Sequence, residues 1–508
     1  MNFTLALAPI IIILLLMVGF RWKASRAGAA GYLAAVLIAW FWFEINLPAL
    51  AYAHAKAVFL ILDVLLIIWT AFLLFRVVAE AGGIEVLSRT LPHLTGDKGL
   101  QALIIAWAFA SFLQGVGGFG VPTAVIAPLL VGLGFSPLLA VVLPSLGHTW
   151  AVTFGSLGAS FNAMMAVTGL DWPTLARPAA LYLGIVGIWA GVTVALAYGG
   201  WKTLIRLWLP IGVIGLSMSA AQYLTVSHGF WNIGGLMGGT AGLLVGIPLA
   251  WFMNHNQEAD QDFPWRELLI ALAGYGVLVT LTLLIQLIPG LKPFLNQVKI
   301  GLDFPATITG RGFAVPAGPG RQLYILSHAG MILLLSSAAA YLIFQAAGWY
   351  HPGALRRILQ STGQRVIGSS VSITSIVMMA VIMTQAGMTD ALAKGFSSAL
   401  GWFYPLAAPW IGALGAIMTG SNANSNLIFS ALQMKTAELL GLPAAFILAA
   451  QTTGGAIGSV AAPTKVIVGA ITAGMEGREG EILRKKLPYI ALLLLITSLI
   501  TFLAVRWI

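Results

Sequence analysis

The stretch FLQGVGGFGVPTAVIAPLLVGLGFSPLLAVVLPSLGHTW, Phe112 to Trp150, decides how this chain folds. Its apolar residues suit a bilayer, yet its glycines and prolines interrupt any helix long enough to cross one. Irregular backbone inside a membrane leaves donors and acceptors unpaired, so it is tolerated only where protein or a water-filled cavity surrounds it. A second stretch has the same character: TGSNANSNLIF starts at Thr419 and GLPAAFILAAQTTGGAIG at Gly441. Setting Gly134 against Gly441 brings Gly147 over Gly454 without a gap, and Gly115 then falls within two residues of Gly420. A polar hairpin followed by a broken span, occurring twice, is the pattern of inverted-topology transporters, whose sites lie where broken helices meet.

The rest of the chain agrees. Of 508 residues, 59% are hydrophobic and 8% charged, whereas soluble domains carry about 25% charged residues. The apolar runs have the ~20-residue length a helix needs to cross a bilayer. FTLALAPIIIILLLMVGF, Phe3 to Phe20, is followed rather than preceded by basic residues and shows no small-residue cleavage site, so a retained span is expected there. The fold class expected is an all-α integral membrane protein with about twelve transmembrane helices. The spans fall near 3–20, 28–47, 57–79, 136–160, 178–198, 207–226, 230–252, 267–289, 322–346, 366–386, 443–475 and 487–506. Two re-entrant hairpins near 101–132 and 400–434 complete an inverted repeat. The domains read as an N-terminal helical hairpin (1–56), a first repeat (57–206), connecting helices with an external loop (207–321) and a second repeat (322–508).

The formal charge of +10 lies in short loops, where lysine and arginine bias insertion toward the cytoplasm, so no nucleic-acid partner is implied. With the N-terminus outside, Arg21, Lys23, Arg26, Arg89, Lys98, Lys202, Arg206, Arg266, Arg356, Arg357, Arg365, Arg478, Arg484, Lys485 and Lys486 all face inward. The first hairpin then opens to the cytoplasm and the second to the outside. Cysteine is absent, which excludes disulfides and thiolate metal sites, and the histidines are not paired at ligand spacing. No cofactor or metal is expected.

Four breaks carry the candidate chemistry: Gly115 to Pro122, Pro144 to Thr149, Thr419 to Asn426, and Gln451 to Gly458. Helices that start after them aim N–H groups and a positive dipole end at a common point, which suits a carboxylate. Ser421, Asn422, Asn424, Ser425, Asn426, Thr452 and Thr453 add uncharged hydrogen-bonding groups, although such residues also glue membrane helices together. GVGGFG matches a dinucleotide pattern, but that pattern has meaning only between a strand and a helix of a soluble unit. Neither H-E-x-x-H nor G-x-S-x-G occurs, so an enzyme is not expected. Ionisable residues inside spans are functional candidates because burying their charge is costly. Here they are Asp63, Arg76, His148 and Lys465. Lys465 either neutralises a bound anion or snorkels to the surface. Asp63 either titrates or pairs with another helix. The loop 290–321, with Lys292, Lys299, Arg311 and Arg321, reads as a solvated connector or a basic funnel for anions.

FLQGVGGFGVPTAVIAPLLVGLGFSP, TFGSLG, TGSNANSNLIFSALQ, AAQTTGGAIG and AQYL at Ala221–Leu224 resemble, in order and spacing, the L-lactate permease family. The resemblance covers most of the chain. It implies a secondary carrier of lactate- or glycolate-like 2-hydroxy monocarboxylates in the bacterial inner membrane, coupled to protons, with a homo-oligomer left open. The family pattern has acidic residues where this chain has Gln114 and Asn422, and a lysine where it has Ser459. Sodium coupling, or a different organic anion, is therefore the rival reading. The expected site comprises Gln114, the backbone of Gly117, Gly118 and Gly120, His148, Thr149, the TGSNANSN residues named above, Thr452, Thr453 and Lys465. Because an amide cannot exchange a proton whereas histidine titrates near pH ~6.5 and a buried aspartate can be shifted upward, proton coupling is expected to run through His148 or Asp63.

Overall fold

The computed structural model describes residues 1–20, 22–90, 97–117, 120–253 and 265–507. Gly118 of the expected site and Arg21 of the inner basic set lie outside the described residues. Among those described, 11 helices are long and apolar enough to cross a membrane, or up to 12 if the bent pair Pro137–Gly147 and Thr149–Thr168 is one span.

The first half comprises α1 (Asn2–Leu14, continued by a π-wound turn), α2 (Ala24–Phe41), α3 (Leu47–Glu80) and the short α4 (Gly83–Thr90). A hairpin of α5 (Lys98–Val116) and α6 (Val121–Gly132) follows. Next comes the broken span α7 (Pro137–Gly147) and α8 (Ala159–Thr168). Then α9 (Trp172–Ser227) runs as one hydrogen-bonded stretch, but Gly200 has φ +68° and turns it back on itself. Ser219 Oγ accordingly donates to the Gly184 carbonyl at 2.8 Å. The two arms of α9 are the separate spans expected at 178–198 and 207–226. After α10 (Gly234–Met253), the second half opens with α11 (Trp265–Leu287) and the one-turn α12 (Leu291–Leu295). It continues with α13 (Ala329–Ala346), α14 (Ala354–Gln385) and α15 (Met388–Leu400). The second hairpin is α16 (Tyr404–Thr419) and α17 (Asn422–Leu439). The broken span α18 (Ala444–Gly458) and α19 (Pro463–Thr472) leads to α20 (Glu479–Trp507).

The halves match element for element. α2 and α13 have 18 residues each, α8 and α19 have 10 each, and α3 and α14 have 34 and 32. Their packing matches too. α2 lies on α14 as α13 lies on α3, and α1 contacts α15 as α11 contacts α4. Gly134 and Gly441 both adopt left-handed conformations, φ +82° and +65°, at the turns that enter the two broken spans. A Cβ on Gly147 would overlap the carbonyl of Ala106 in α5, and one on Gly454 that of Pro409 in α16. Small residues let the backbones approach where no hydrophobic force between helices operates. At this shared contact each hairpin arm is itself distorted, α5 by a π-wound turn over Ile104–Phe109 and α16 by Pro409.

Several boundaries differ from the sequence reading, such as α14, which starts at Ala354 rather than near 366, and two of them have clear local reasons. α3 starts at Leu47 rather than near 57, because Asn46 Oδ1 accepts from the Ala49 N–H at 2.9 Å and a proline occupies the first turn. The span expected from 322 starts at Ala329, because the preceding residues close a β-hairpin. Its rungs are β1 (Lys299–Ile300) with β6 (Leu323–Tyr324), β2 (Asp303–Phe304) with β5 (Gly318–Pro319), and β3 (Thr307–Ile308) with β4 (Ala314–Val315). Much of the loop read as a connector is thus an ordered hairpin.

Residues 99–116 of α5 are buried, so this arm of the first hairpin is enclosed by protein. On the positive-inside pattern the turns at the open ends of the hairpins are expected on opposite faces. Cysteines introduced as Ser136→Cys and Glu438→Cys, in a chain with none of its own, should be labelled by an impermeant reagent from opposite sides of oriented vesicles. Labelling of both from one side would contradict the inverted arrangement.

Candidate functional site

The two hairpin tips converge on the start of α19. A Cβ on Gly420 would lie 2.8 Å from Thr464 Oγ1, and one on Gly120 would lie 3.9 Å from Lys465 Cγ. The halves interlock there, since α8 packs on α17 and α19 packs on α6. A cavity of ≈ 230 Å³ opens at the second tip, lined by Ser372, Thr419, Ser421, Asn424, Thr464 and Lys465, together with Arg365.

The residues of TGSNANSN divide into two sets. Asn426 Nδ2 donates to the Ser160 carbonyl and to Thr452 Oγ1, both at 2.9 Å. Ser425 Oγ donates to the Gly412 carbonyl at 2.6 Å and accepts from Gln451 Nε2 at 3.1 Å. Asn422 Nδ2 donates to Thr153 Oγ1 at 3.0 Å, and that hydroxyl reaches the Thr452 carbonyl at 3.2 Å. These contacts tie the second hairpin to the two broken spans. Ser421 and Asn424 instead face the cavity. Ser421 caps α17 by accepting from the Asn424 N–H, while Asn424 Nδ2 lies 3.4 Å from Ser372 Oγ and its Oδ1 has no partner among the described residues.

The first half contributes less to the cavity. Gln114 is buried beside Gly155, with Oε1 lacking a partner among the described residues. Gly117 ends α5 against Phe75, and Gly120, at φ +87°, starts α6. Thr149 directs its hydroxyl to the Leu146 carbonyl at 2.9 Å, within its own helix end. His148 Nδ1 donates to the Pro144 carbonyl, which leaves Nε2 without a partner among the described residues. Thr453 Oγ1 is likewise buried and unpartnered among them.

Asp63 lies elsewhere. It sits in a larger cavity beneath the β-hairpin. Arg321 donates to Asp63 Oδ2 at 2.9 Å, and His328 Nε2 lies 2.9 Å from Oδ1. Of the two outcomes open for this aspartate, pairing is the one observed.

Lys486 escaped the sequence reading. Counted with Arg484 and Lys485 as an inner-loop charge, it is 1% exposed. Its amine donates to the Val460 carbonyl in the short 3₁₀ turn Ser459–Ala461 between α18 and α19. Lys465 Nζ donates to Ser459 Oγ, in the same turn, at 3.0 Å. Among the described residues no ion pair includes either lysine. Helical spacing carried the signal, because Lys486 falls four residues from each of the buried Ile482 and Ile490, on the face that should be apolar.

Eleven to twelve membrane-length apolar helices among the described residues, with two hairpins and a polar, cation-bearing cavity at the tip of the second, mark an integral membrane transporter. The chain belongs to the L-lactate permease family, whose model matches residues 2–508. It is 27% identical to the L-lactate permease of Bacillus subtilis (strain 168), over 98% of this chain and 95% of that protein. It is 26% identical to the glycolate permease GlcA of Escherichia coli (strain K12), over 98% and 94%. The YdaH transporter of Alcanivorax borkumensis shares the fold at a TM-score of 0.50 and 16% identity, with 91% of this chain and 90% of that one covered.

The two sets of asparagines should separate on mutation. Asn426→Leu removes the bonds to the Ser160 carbonyl and Thr452 Oγ1 and should destabilise the fold by about 1–3 kcal/mol, read as a lowered melting temperature in detergent. Asn424→Leu should leave melting within a few degrees of wild type and abolish uptake. Equal loss of stability in both variants would mean that Asn424 only packs.

Proposed function

We propose that the chain is a secondary carrier, not a catalyst, for a small 2-hydroxy monocarboxylate of the lactate or glycolate kind, held at the tip of the second hairpin. The observation that supports this reading is the pair of lysine amines on one turn with no carboxylate as ion-pair partner among the described residues. Charged groups inside a membrane protein are costly unless paired, and a carboxylate arriving at Lys465 supplies the missing counter-charge. Thr464, in the first turn of α19, adds a hydroxyl and the positive end of the helix dipole. Asn424 Oδ1 is a buried acceptor at the same cavity, suited to the 2-hydroxyl of such a substrate. The similarity to an L-lactate permease and a glycolate permease supports this substrate class.

We place the N-terminus outside, on the charge distribution, and read residues 2–198 and 265–507 as the two halves of the carrier, joined by the second arm of α9 and by α10. Proton coupling is the reading carried over from the family. The titratable groups at the interior site are Lys465, Lys486 and His148, with Asp63 committed to Arg321 and His328 in the outer cavity. The rival, sodium coupling, draws support from the amide oxygens of Gln114, Asn422 and Asn426, which have no donors among the described residues.

Purified protein should be stabilised by L-lactate, by about 2.7 kcal/mol at a hundredfold excess over the dissociation constant. Propionate, which lacks the hydroxyl, should bind at least tenfold more weakly. Lys465→Met should lose the thermal shift, and Asn424→Leu should lose the discrimination. Uptake into proteoliposomes should follow a pH gradient at zero sodium. Uptake that needed sodium and ignored pH would favour the rival, and absence of any shift with small monocarboxylates would sink the substrate assignment.

A further inference from the structure

The cavity beneath the β-hairpin is a separate chamber of ≈ 730 Å³, within the ~300–1,000 Å³ typical of small-ligand sites. Its wall carries Lys56, Lys292, Arg321 and His328 against the carboxylate of Asp63. Arg321 contacts one oxygen of Asp63 and His328 the other, so that carboxylate is saturated and offsets Arg321. Lys56 and Lys292 add positive charge to the lining. Lys56 Nζ is held in place, 3.2 Å from Gln385 Oε1 and 5.3 Å from the centroid of the Phe304 ring on β2. Burial pushes the Lys292 amine below its usual range, a shift a nearby anion would oppose.

The chamber also abuts the hairpin core. Asn162 lines it, two residues beyond Ser160, whose carbonyl accepts from Asn426. Ile67 of α3 lines it as well, while the next residue, Ile68, faces Gly117 at the tip of the first hairpin. The first turn of α8 and the middle of α3 thus form the wall between this chamber and the hairpin tips.

We propose that this chamber is a second anion site, which takes small carboxylates with Lys56 and Lys292 as counter-charges and holds them one wall away from the hairpin-tip site. The carboxylate class rests on the substrate reading above. The positive chamber itself rests only on its lining. A low-dielectric wall around cations of one sign focuses their field and raises the local concentration of anions.

The test exploits the absence of native cysteine. In Gln322→Cys, at a residue that lines the chamber, an anionic methanethiosulfonate should react faster than a cationic one. Adding Lys56→Gln and Lys292→Gln should lower the anionic-to-cationic rate ratio by about fivefold at low salt, less at high salt. Lys56→Arg with Lys292→Arg should keep the wild-type ratio. Millimolar L-lactate should slow labelling in the Gln322→Cys protein, and less so in the lysine-to-glutamine background. A ratio unchanged by removal of both lysines overturns the proposal. Lack of protection by L-lactate alongside normal L-lactate uptake also overturns it while leaving the carrier reading intact. Conversely, a charge-dependent ratio with protection by L-lactate, in a protein that transports none, upholds the chamber site and refutes the carrier reading.

Discussion

Everything in this structure follows from one constraint: a hydrocarbon interior offers no water to an unpaired backbone group. A backbone group left open at a break must therefore find a side chain from elsewhere in the chain, and further side-chain bonds interlock the halves. Asn426 of the second half donates to the Ser160 carbonyl of the first, Thr153 to the Thr452 carbonyl, and Ser425 of one hairpin arm to the Gly412 carbonyl of the other. Even Lys486 serves this need, because its amine occupies the Val460 carbonyl. The same lysine thereby brings a positive charge into the protein, so the repair of the backbone and the electrostatics of the site have one source.

That charge gives the interior its character. Two amines meet one turn, and an imidazole with an unpartnered Nε2 completes the set of titratable groups there. Acidic side chains are kept to other places: Asp63 under the β-hairpin, Asp97 with Arg206, and Glu80 with Arg357. On the function proposed above, the substrate's carboxylate supplies the counter-charge these amines lack. The amides of Gln114 and Asn422 fit this distribution, for neither brings negative charge to the region where the amines lie.

The fold was largely legible in the sequence because glycine marks backbone geometry directly. The alignment of Gly134 with Gly441 and of Gly147 with Gly454 names the turns and close contacts that the two halves share. The site was legible only in part. TGSNANSN signalled polar work inside a membrane, but sequence does not say which asparagine reaches across to Ser160 and which faces a cavity; that depends on the rotation of α17 against α8. Lys486 was hidden by its neighbours, since Arg484 and Lys485 make the run look like a loop. Asp63 looked isolated because its partners Arg321 and His328 lie on a segment whose folding as a β-hairpin no local pattern announced. Ser372 and Thr464, which line the cavity, are unremarkable residues in apolar helices and carry no sequence signal.

The central claim is that the substrate carboxylate pairs with Lys465 at the second hairpin tip. Solid-state NMR on protein in lipid, with ¹³C-carboxylate L-lactate and ¹⁵Nζ-lysine, measures this pairing through their dipolar coupling. The account predicts a carbon–nitrogen contact of roughly 3–4 Å, the separation of a charge-assisted hydrogen bond, that disappears in Lys465→Met and persists when Lys56 and Lys292 are glutamine. A carboxylate that couples to no lysine, or whose coupling survives the loss of Lys465, would contradict it.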